Sequence, residues 1–236
     1  MTMGPDGNIW FTENLGNRIG RISPDGATIT EFDIPTKDSQ PRGIKVGSDG
    51  NLWFAESNGN QIGRITASGK ITEFQLHHPN SNPRGIAAGP DGNIWFVEGN
   101  GNRIGRITIH GAITEFDLPH HNSAPADITA GPDGKMWFTE LAGNRIGRIS
   151  SDGQIEEFSL SKPISQPILI KVGPDKNIWF GELRGGRIGR ITSTGTITEF
   201  DIPTKDSQPR GITAGPDGNI WFSEQRGNRI GRLLLK

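Results

Sequence analysis

Carboxylate and guanidinium side chains recur at regular intervals in this 236-residue sequence. One glutamate closes each of six Trp-Phe-x-Glu segments: Glu13, Glu56, Glu98, Glu140, Glu182 and Glu224. One arginine closes each of six Ile-Gly-Arg segments: Arg21, Arg64, Arg106, Arg148, Arg190 and Arg232. Six carboxylates brought together could coordinate a cation. We favour a structural glutamate–arginine pair in every repeat, because a single asymmetric site would not need six copies.

The five histidines are less regular. His77-His78 and His120-His121 lie in corresponding segments of adjacent repeats, and His110 lies in a turn. Two histidine pairs on neighbouring units could bind zinc or nickel, or provide a catalytic base. The alternative, which we favour, is that all five are solvated loop side chains. His78 and His120 are retained as candidate ligand-binding residues.

Aspartate recurs in Gly-Pro-Asp-Gly, at Asp6, Asp91, Asp133 and Asp217. Carboxylates of this kind could bind calcium, but Pro-Asp-Gly is an ordinary turn signature, and we interpret these residues as turn formers. No Ser-His-Asp set, phosphate-binding loop or dinucleotide fingerprint occurs in the sequence.

The bulk composition excludes several classes of function. Lys plus Arg (25) nearly equals Asp plus Glu (26), so we predict binding to neither nucleic acid nor membranes. The absence of cysteine excludes disulfides and thiolate metal sites. No apolar run approaches the roughly 18 residues that span a bilayer. The first residues lack the basic and apolar regions of a signal peptide, so a cytoplasmic location is the default expectation.

A repeat of about 42 residues organises the sequence, and one tryptophan marks each copy: Trp10, Trp53, Trp95, Trp137, Trp179 and Trp221. A period in this range indicates a solenoid or a propeller. Each complete repeat contains four short segments rich in Ile, Thr, Phe and Trp, and Gly, Pro, Asn or Asp separates them. This pattern is typical of strands joined by hairpins.

Four strands per repeat are typical of one propeller blade. We therefore predict an all-β fold, a β-propeller of six blades that forms one domain over residues 1–236. The predicted repeats are 1–43, 44–85, 86–127, 128–169, 170–211 and the partial repeat 212–236. The last repeat stops after its third segment, so we predict a blade of three strands with an exposed or partner-covered edge at residues 228–236. Such an edge invites pairing with another chain, and a homo-oligomer formed through it is one hypothesis.

Residues 28–44 and 196–212 are identical. Recent natural duplication and deliberate amplification of a repeat would both produce this identity.

The segments Gly-Pro-Asp-Gly-Asn-Ile-Trp-Phe-x-Glu, Asn-Arg-Ile-Gly-Arg-Ile and Ile-Thr-Glu-Phe-Asp-Ile-Pro resemble the repeats of the virginiamycin B lyase family over the whole chain. The resemblance implies a propeller, normally with seven blades. It also implies a lyase that opens streptogramin B rings at their ester by β-elimination with magnesium, using a histidine base in a Pro-His-Gly-Ile segment.

The positions that match this histidine are Arg42, Arg84, Ala126, Ile168 and Arg210. None of them is histidine, and arginine is no ordinary base because it stays protonated. In a propeller these positions share the face around the central channel. Arg42, Arg84 and Arg210 therefore predict an arginine-bearing channel mouth for a small anionic or peptide ligand. The alternative is that each arginine pairs with a nearby carboxylate or a strand-end carbonyl.

Three functions follow from these patterns. The one that we favour is a binding or scaffold propeller without catalysis and without a cofactor. The second is a divergent lyase, which would use magnesium in its family reaction or another metal with His78, His120 or His121. The third is an interaction module that pairs chains through the edge at residues 228–236.

Overall fold

The computed structural model describes residues 1–235, and within these residues all regular structure is strand. None of the described residues forms a helix long and apolar enough to span a membrane. Residue 236, the last of the predicted edge, lies outside the described residues. Contacts divide the chain into two compact units, Met1–Asp117 and Leu118–Lys236, which are described separately below. The single domain over residues 1–236 stays a prediction.

The first unit contains three antiparallel sheets, each with its strands in chain order. The first sheet consists of β1 (Thr2–Met3), β2 (Ile9–Glu13), β3 (Arg18–Ile22) and β4 (Ile29–Asp33). The second consists of β5 (Pro41–Val46), β6 (Leu52–Glu56), β7 (Gln61–Ile65) and β8 (Ile71–Gln75). The third consists of β9 (Pro83–Ala88), β10 (Ile94–Glu98), β11 (Arg103–Ile107) and β12 (Ile113–Asp117).

The second unit also contains three sheets of the same kind. The first consists of β13 (Pro125–Ala130), β14 (Met136–Glu140), β15 (Arg145–Ile149) and β16 (Ile155–Ser159). The second consists of β17 (Pro167–Val172), β18 (Ile178–Glu182), β19 (Arg187–Ile191) and β20 (Ile197–Asp201). The third has only β21 (Pro209–Ala214), β22 (Ile220–Glu224) and β23 (Arg229–Leu233). The fold class is an all-β propeller with six blades, the last of three strands, as the repeat predicts.

Tight turns set the register of every sheet. In the third blade Gly92 has a φ of 79° and Asn102 a φ of 57°, values that glycine and asparagine tolerate best. Asp91 accepts hydrogen bonds from the backbone of Asn93 at 3.2 Å and from Trp95 Nε1 at 3.1 Å. This contact confirms the turn interpretation of the Gly-Pro-Asp-Gly segments. Proline occupies the first position of each first strand from β5 onward, where its missing N–H does not interrupt the ladder.

The second strand of a blade is buried on both faces. All five residues of β6, β10, β14 and β18 are buried. The tryptophan of each of the first five repeats stacks on the phenylalanine of the fourth strand, as Trp95 does on Phe116 with ring centres 5.7 Å apart. Each apolar cluster draws on two successive repeats: Trp10 and Ile19 of the first repeat pack with Leu52 and Phe54 of the second. A repeat therefore completes its core with its neighbour.

A glycine in each third strand gives the phenylalanine of the second strand its space. A Cβ atom built on Gly105 would lie 2.1 Å from the ring of Phe96, far inside van der Waals contact.

We expect Gly105→Ala to lower the free energy of unfolding by about 1–3 kcal/mol, because the added methyl group forces Phe96 out of its rotamer. Urea denaturation measures the change. Thr114→Ala, on the exposed side of the adjoining strand β12, is the control and should alter stability by roughly 0.5 kcal/mol or less. Equal effects of the two substitutions would contradict this account of the glycine.

Candidate functional site

The glutamate that closes each second strand lies opposite the residue that opens the third strand. In the third blade Glu98 pairs in register with Arg103, and Arg106 pairs with Trp95. Arg103 Nε lies 3.0 Å from Glu98 Oε2, and the Glu98 side chain is fully buried. The fourth and fifth blades repeat this ion pair, with Arg145 at 3.2 Å from Glu140 and Arg187 at 2.5 Å from Glu182.

The prediction that each glutamate pairs with the arginine of Ile-Gly-Arg is therefore wrong: the glutamate pairs with the arginine that opens the third strand. Those arginines lie over the aromatic stack, as Arg106 does at 5.4 Å from the centre of the Trp95 ring. Their carboxylate neighbours are the turn aspartates, as in Arg148–Asp133 at 3.5 Å. The hairpin register explains the error, because it places Glu98 and Arg106 three residue pairs further apart than Glu98 and Arg103. A structural role is nevertheless what this geometry supports.

Buried serines complete the ion pairs. Ser81, Ser123 and Ser165 are fully buried. Arg187 Nη2 donates to Ser165 Oγ at 2.8 Å, and Arg103 Nη2 donates to Ser81 Oγ at 3.2 Å. The sequence analysis did not single out these serines, nor the arginines that open the third strands. If the residues of the hairpin are paired from the glutamate of Trp-Phe-x-Glu onward, the arginine that opens the third strand is the residue opposite it.

The second blade departs from the pattern, since Gln61 stands where the other blades have arginine. Glu56 pairs in register with Gln61 and is fully buried. Burial is the larger cause and the charge of Glu73 the smaller one, and together they raise the pKa of Glu56 to about 8.

Arg42 and Arg84 lie at equivalent positions of the neighbouring first strands β5 and β9, which contact each other. Arg42 is exposed and Arg84 is partly buried. Burial, together with the like charge of Arg42, lowers the pKa of Arg84. The Nε of Arg84 donates to Asn82 Oδ1 at 2.8 Å. No carboxylate among residues 1–235 forms an ion pair with either guanidinium. The alternative, a partner that is either a carboxylate or a strand-end carbonyl, stays a prediction.

The remaining positions of this set lie in the second unit. Arg210 is exposed, and its Nη1 donates to Gln225 Oε1 at 3.5 Å. Ala126 and Ile168 are partly buried. Beside Ala126, the carboxylate of Asp127 accepts a hydrogen bond from the Ile170 backbone at 3.2 Å. Lys171 Nζ lies 3.7 Å from the same carboxylate. No sequence motif indicates this pair, because Asp127 stands where three other repeats have glycine.

The histidines lie at the surface, and two of them are held by buried carboxylates. His78 Nδ1 lies 2.6 Å from Glu115 Oε2, and the same oxygen is 3.6 Å from His77 Nδ1. His120 makes the equivalent contact with Glu157. The side chains of His78 and His120 are 56% and 61% exposed, so they are solvated loop residues, but they are not free. No group of three or more ligating side chains in the described part of the chain has the geometry of a metal site.

Removal of one partner from a buried ion pair leaves an uncompensated charge. We expect Arg103→Gln to lower the free energy of unfolding by about 3 kcal/mol because it strands Glu98, as measured by urea denaturation. Arg42→Gln, the same substitution at an exposed arginine without an ion pair, should change stability by roughly 0.5 kcal/mol or less. A loss for Arg103→Gln no larger than that control would show that the pair contributes little.

Comparison with known proteins agrees with this repeat architecture. The model of the virginiamycin B lyase family matches residues 1–236. The crystal structure of virginiamycin B lyase from Staphylococcus aureus is 48% identical, with a TM-score of 0.96, over 99% of this chain and 80% of that one. A catalytically inactive variant of the Staphylococcus aureus enzyme with quinupristin is also 48% identical, with a TM-score of 0.95, over 99% and 79% of the two chains.

A shorter match occurs with the virginiamycin B lyase of Bordetella parapertussis, which is 55% identical over 40 residues. These residues make up 17% of this chain and 13% of the Bordetella protein. The family match covers every repeat, and the Staphylococcus aureus structures reproduce the fold over nearly all of the chain. The chain belongs to the virginiamycin B lyase family.

Proposed function

We propose that this family member binds a small anionic ligand through Arg42 and Arg84 and does not convert it chemically. The observation that carries the proposal is a pair of adjacent guanidinium groups without a carboxylate partner among residues 1–235. Burial, and in addition the like charge of Arg42, disfavours the protonated form of Arg84 and lowers its pKa. A bound carboxylate or phosphate would offset this effect.

The two side chains differ in a way that suits recognition. The Nε of Arg84 donates to Asn82. This hydrogen bond orients the terminal Nη atoms of Arg84, so the side chain loses little conformational freedom when a ligand binds. Arg42 is exposed and can close on a ligand. Guanidinium groups bind carboxylate and phosphate with two parallel hydrogen bonds. Arg210 lies at the equivalent position in the second unit and is a further candidate ligand residue.

The alternative to binding without conversion is that this chain catalyses a lyase reaction as its relatives do. The catalytically inactive variant of the Staphylococcus aureus enzyme was solved with quinupristin, so quinupristin is the compound with which to test this chain. Base catalysis needs a group that exchanges protons near neutral pH, and Arg42, Arg84, Ala126, Ile168 and Arg210 offer none. The imidazoles of His78 and His120 already contact Glu115 and Glu157, which supports a role as loop anchors.

We expect the protein to bind citrate, used as an anionic probe, with an affinity that falls as salt concentration rises. Arg84→Ala should weaken binding by roughly tenfold or more, because a hydrogen bond to a charged group contributes about 1.5–3 kcal/mol. Isothermal titration calorimetry measures the change. Lys70→Ala, at an exposed lysine in a hairpin turn, is the control and should leave the affinity unchanged. If wild type and Arg84→Ala bind citrate with equal affinity, the arginine pair is not the binding site and the proposal is contradicted.

Incubation with quinupristin and magnesium, followed by mass spectrometry, decides between binding and lysis. We expect no linear product above the level of a sample without protein. Ring opening that disappears in His78→Ala or His120→Ala would establish the lyase alternative in place of binding alone.

A second function, self-association through the last blade, has its own supporting observation. Ile230 of β23 is 68% exposed, whereas the equivalent isoleucines in four other blades are fully buried: Ile19, Ile62, Ile146 and Ile188. Those four pack against the repeat that follows them, as Ile19 does against Leu52 and Phe54. The partner that fits Ile230 is therefore a repeat of the same kind, and a second copy of this chain can supply one.

The first repeat carries the matching face. Its Ile9, Phe11 and Ile22 occupy the positions of Leu52, Phe54 and Ile65 in the second repeat, and all three remain partly exposed. A second copy could therefore cover Ile230 with the contacts that each repeat makes with its neighbour.

We expect concentration-dependent association in sedimentation velocity experiments. Ile230→Arg should abolish it, because the substitution places a charge in the apolar contact. Ile29→Arg, at an isoleucine of β4 that is 60% exposed, should leave association intact. A monomer at every concentration tested would exclude self-association.

A further inference from the structure

A glutamate ends each second strand, and in four of the six blades an arginine pairs with it in the same way. In the fourth blade Arg145 Nε lies 3.2 Å from Glu140 and 3.5 Å from Glu157 of the fourth strand. In the fifth blade Arg187 lies 2.5 Å from Glu182 and 3.9 Å from Glu199. One guanidinium thus lies between two carboxylates.

The first and third blades contain the same elements. Arg18 lies 3.5 Å from Glu13 and 2.5 Å from Glu31. In the third blade Arg103 lies 3.0 Å from Glu98. His78 contacts Glu115, the second carboxylate of that blade, at 2.6 Å.

The second blade keeps both carboxylates, Glu56 and Glu73, but lacks the cation. Gln61 replaces the arginine, and its amide turns to other partners: Oε1 accepts from Thr36 Oγ1 at 3.1 Å and Nε2 donates to Gln75 at 3.2 Å. No cationic side chain among residues 1–235 forms an ion pair with either glutamate. The exposed histidine of the third and fourth blades has no counterpart here, because Thr36 occupies its place and donates its backbone N–H to Glu73 at 3.0 Å.

The Glu56 carboxyl group lies beside the same glycine as its equivalents, but no cationic side chain among residues 1–235 pairs with it. Its Oε2 lies 3.1 Å from a Cβ atom built on Gly59, and Glu98 Oε2 lies near the equivalent Gly101. Both oxygens of Glu56 are buried without a hydrogen bond, whereas Oε2 of Glu98, Glu140 and Glu182 meets an arginine. The facing groups are Glu73 from β8 and Ser39 from the preceding loop, and the Ser39 hydroxyl donates to Asn17 at 2.9 Å instead.

We propose that one proton, shared between the carboxyl groups of Glu56 and Glu73, takes the place in the second blade of the arginine that neutralises the other blades. The proton makes Glu56 a hydrogen-bond donor to Glu73 and removes the negative charge of Glu56, which is fully buried beside a second carboxylate. The second blade is therefore the part of the molecule that loses stability as the pH rises from acidic values through neutrality.

The direction of this pH dependence follows from proton linkage. Burial and the charge of Glu73 raise the pKa of Glu56 from 4.5 to about 8, so the folded chain binds this proton at pH values where the unfolded chain has released it. The stabilisation is complete below the unfolded value and is lost as pH rises toward the folded value. For one proton the unfolding equilibrium constant increases about tenfold per pH unit between roughly pH 5 and pH 8.

The substitution Gln61→Arg tests the proposal because it restores the guanidinium of the other blades. We expect the urea unfolding equilibrium of the wild type to carry a tenfold-per-unit pH dependence that Gln61→Arg lacks, so that the two curves diverge from pH 5 to pH 8. The comparison cancels the titration of all other groups. The variant Ala67→Arg, which adds the same charge in the exposed turn after β7, should keep the wild-type slope.

Carbon-13 NMR of selectively labelled glutamate provides the second measurement on the folded wild-type chain. One carboxyl resonance should titrate near pH 8, and Gln61→Arg should move it to an ordinary acidic midpoint. Parallel pH dependences of wild type and Gln61→Arg would overturn the proposal. So would a spectrum in which every glutamate of the wild type is ionised at pH 7.

Discussion

Burial of the second strand on both faces is the constraint on which the rest of the structure depends. Every residue of β6, β10, β14 and β18 is withdrawn from water, and one sheet alone cannot achieve this. The apolar clusters therefore join successive repeats, as Trp10 and Ile19 join Leu52 and Phe54. Within each unit, successive repeats contribute facing apolar side chains to one cluster, so the same few apolar residue types recur at a fixed period.

The same constraint determines what the polar residues do. A glutamate at the end of a fully buried strand has no access to water, so it must be paired, hydrogen-bonded or neutral. The hairpin supplies the partner by register, because the last residue of the second strand lies opposite the first residue of the third. The arginine of Ile-Gly-Arg lies three pairs further along and covers the aromatic stack instead. Two arginines in one short strand thus serve different carboxylates.

Much of the fold could be predicted from the sequence, and less of the site. Tryptophan spacing and turn residues define the strands, and the missing fourth segment predicts the three-stranded last sheet. The glutamate–arginine pairing failed because periodicity identifies recurring residues without giving the strand register. The contact of His78 with Glu115 joins residues 37 positions apart, and no local pattern encodes it. The pair of Asp127 with Lys171 was not predicted, because Asp127 belongs to no repeated motif and its partner lies 44 positions away in the next repeat.

Near-identical repeats make their differences interpretable. A residue present in every blade serves a structural role that all blades share, so Glu98 and its equivalents say little about a ligand. Where a position differs between blades, the fold of the blade does not require one particular residue type there. Arg42 and Arg84 stand where the fourth and fifth blades have Ala126 and Ile168, so the fold does not require a guanidinium at that position. Arg42 and Arg84 bring two like charges together without an ion pair among residues 1–235, and under the proposed function an anionic ligand would neutralise them.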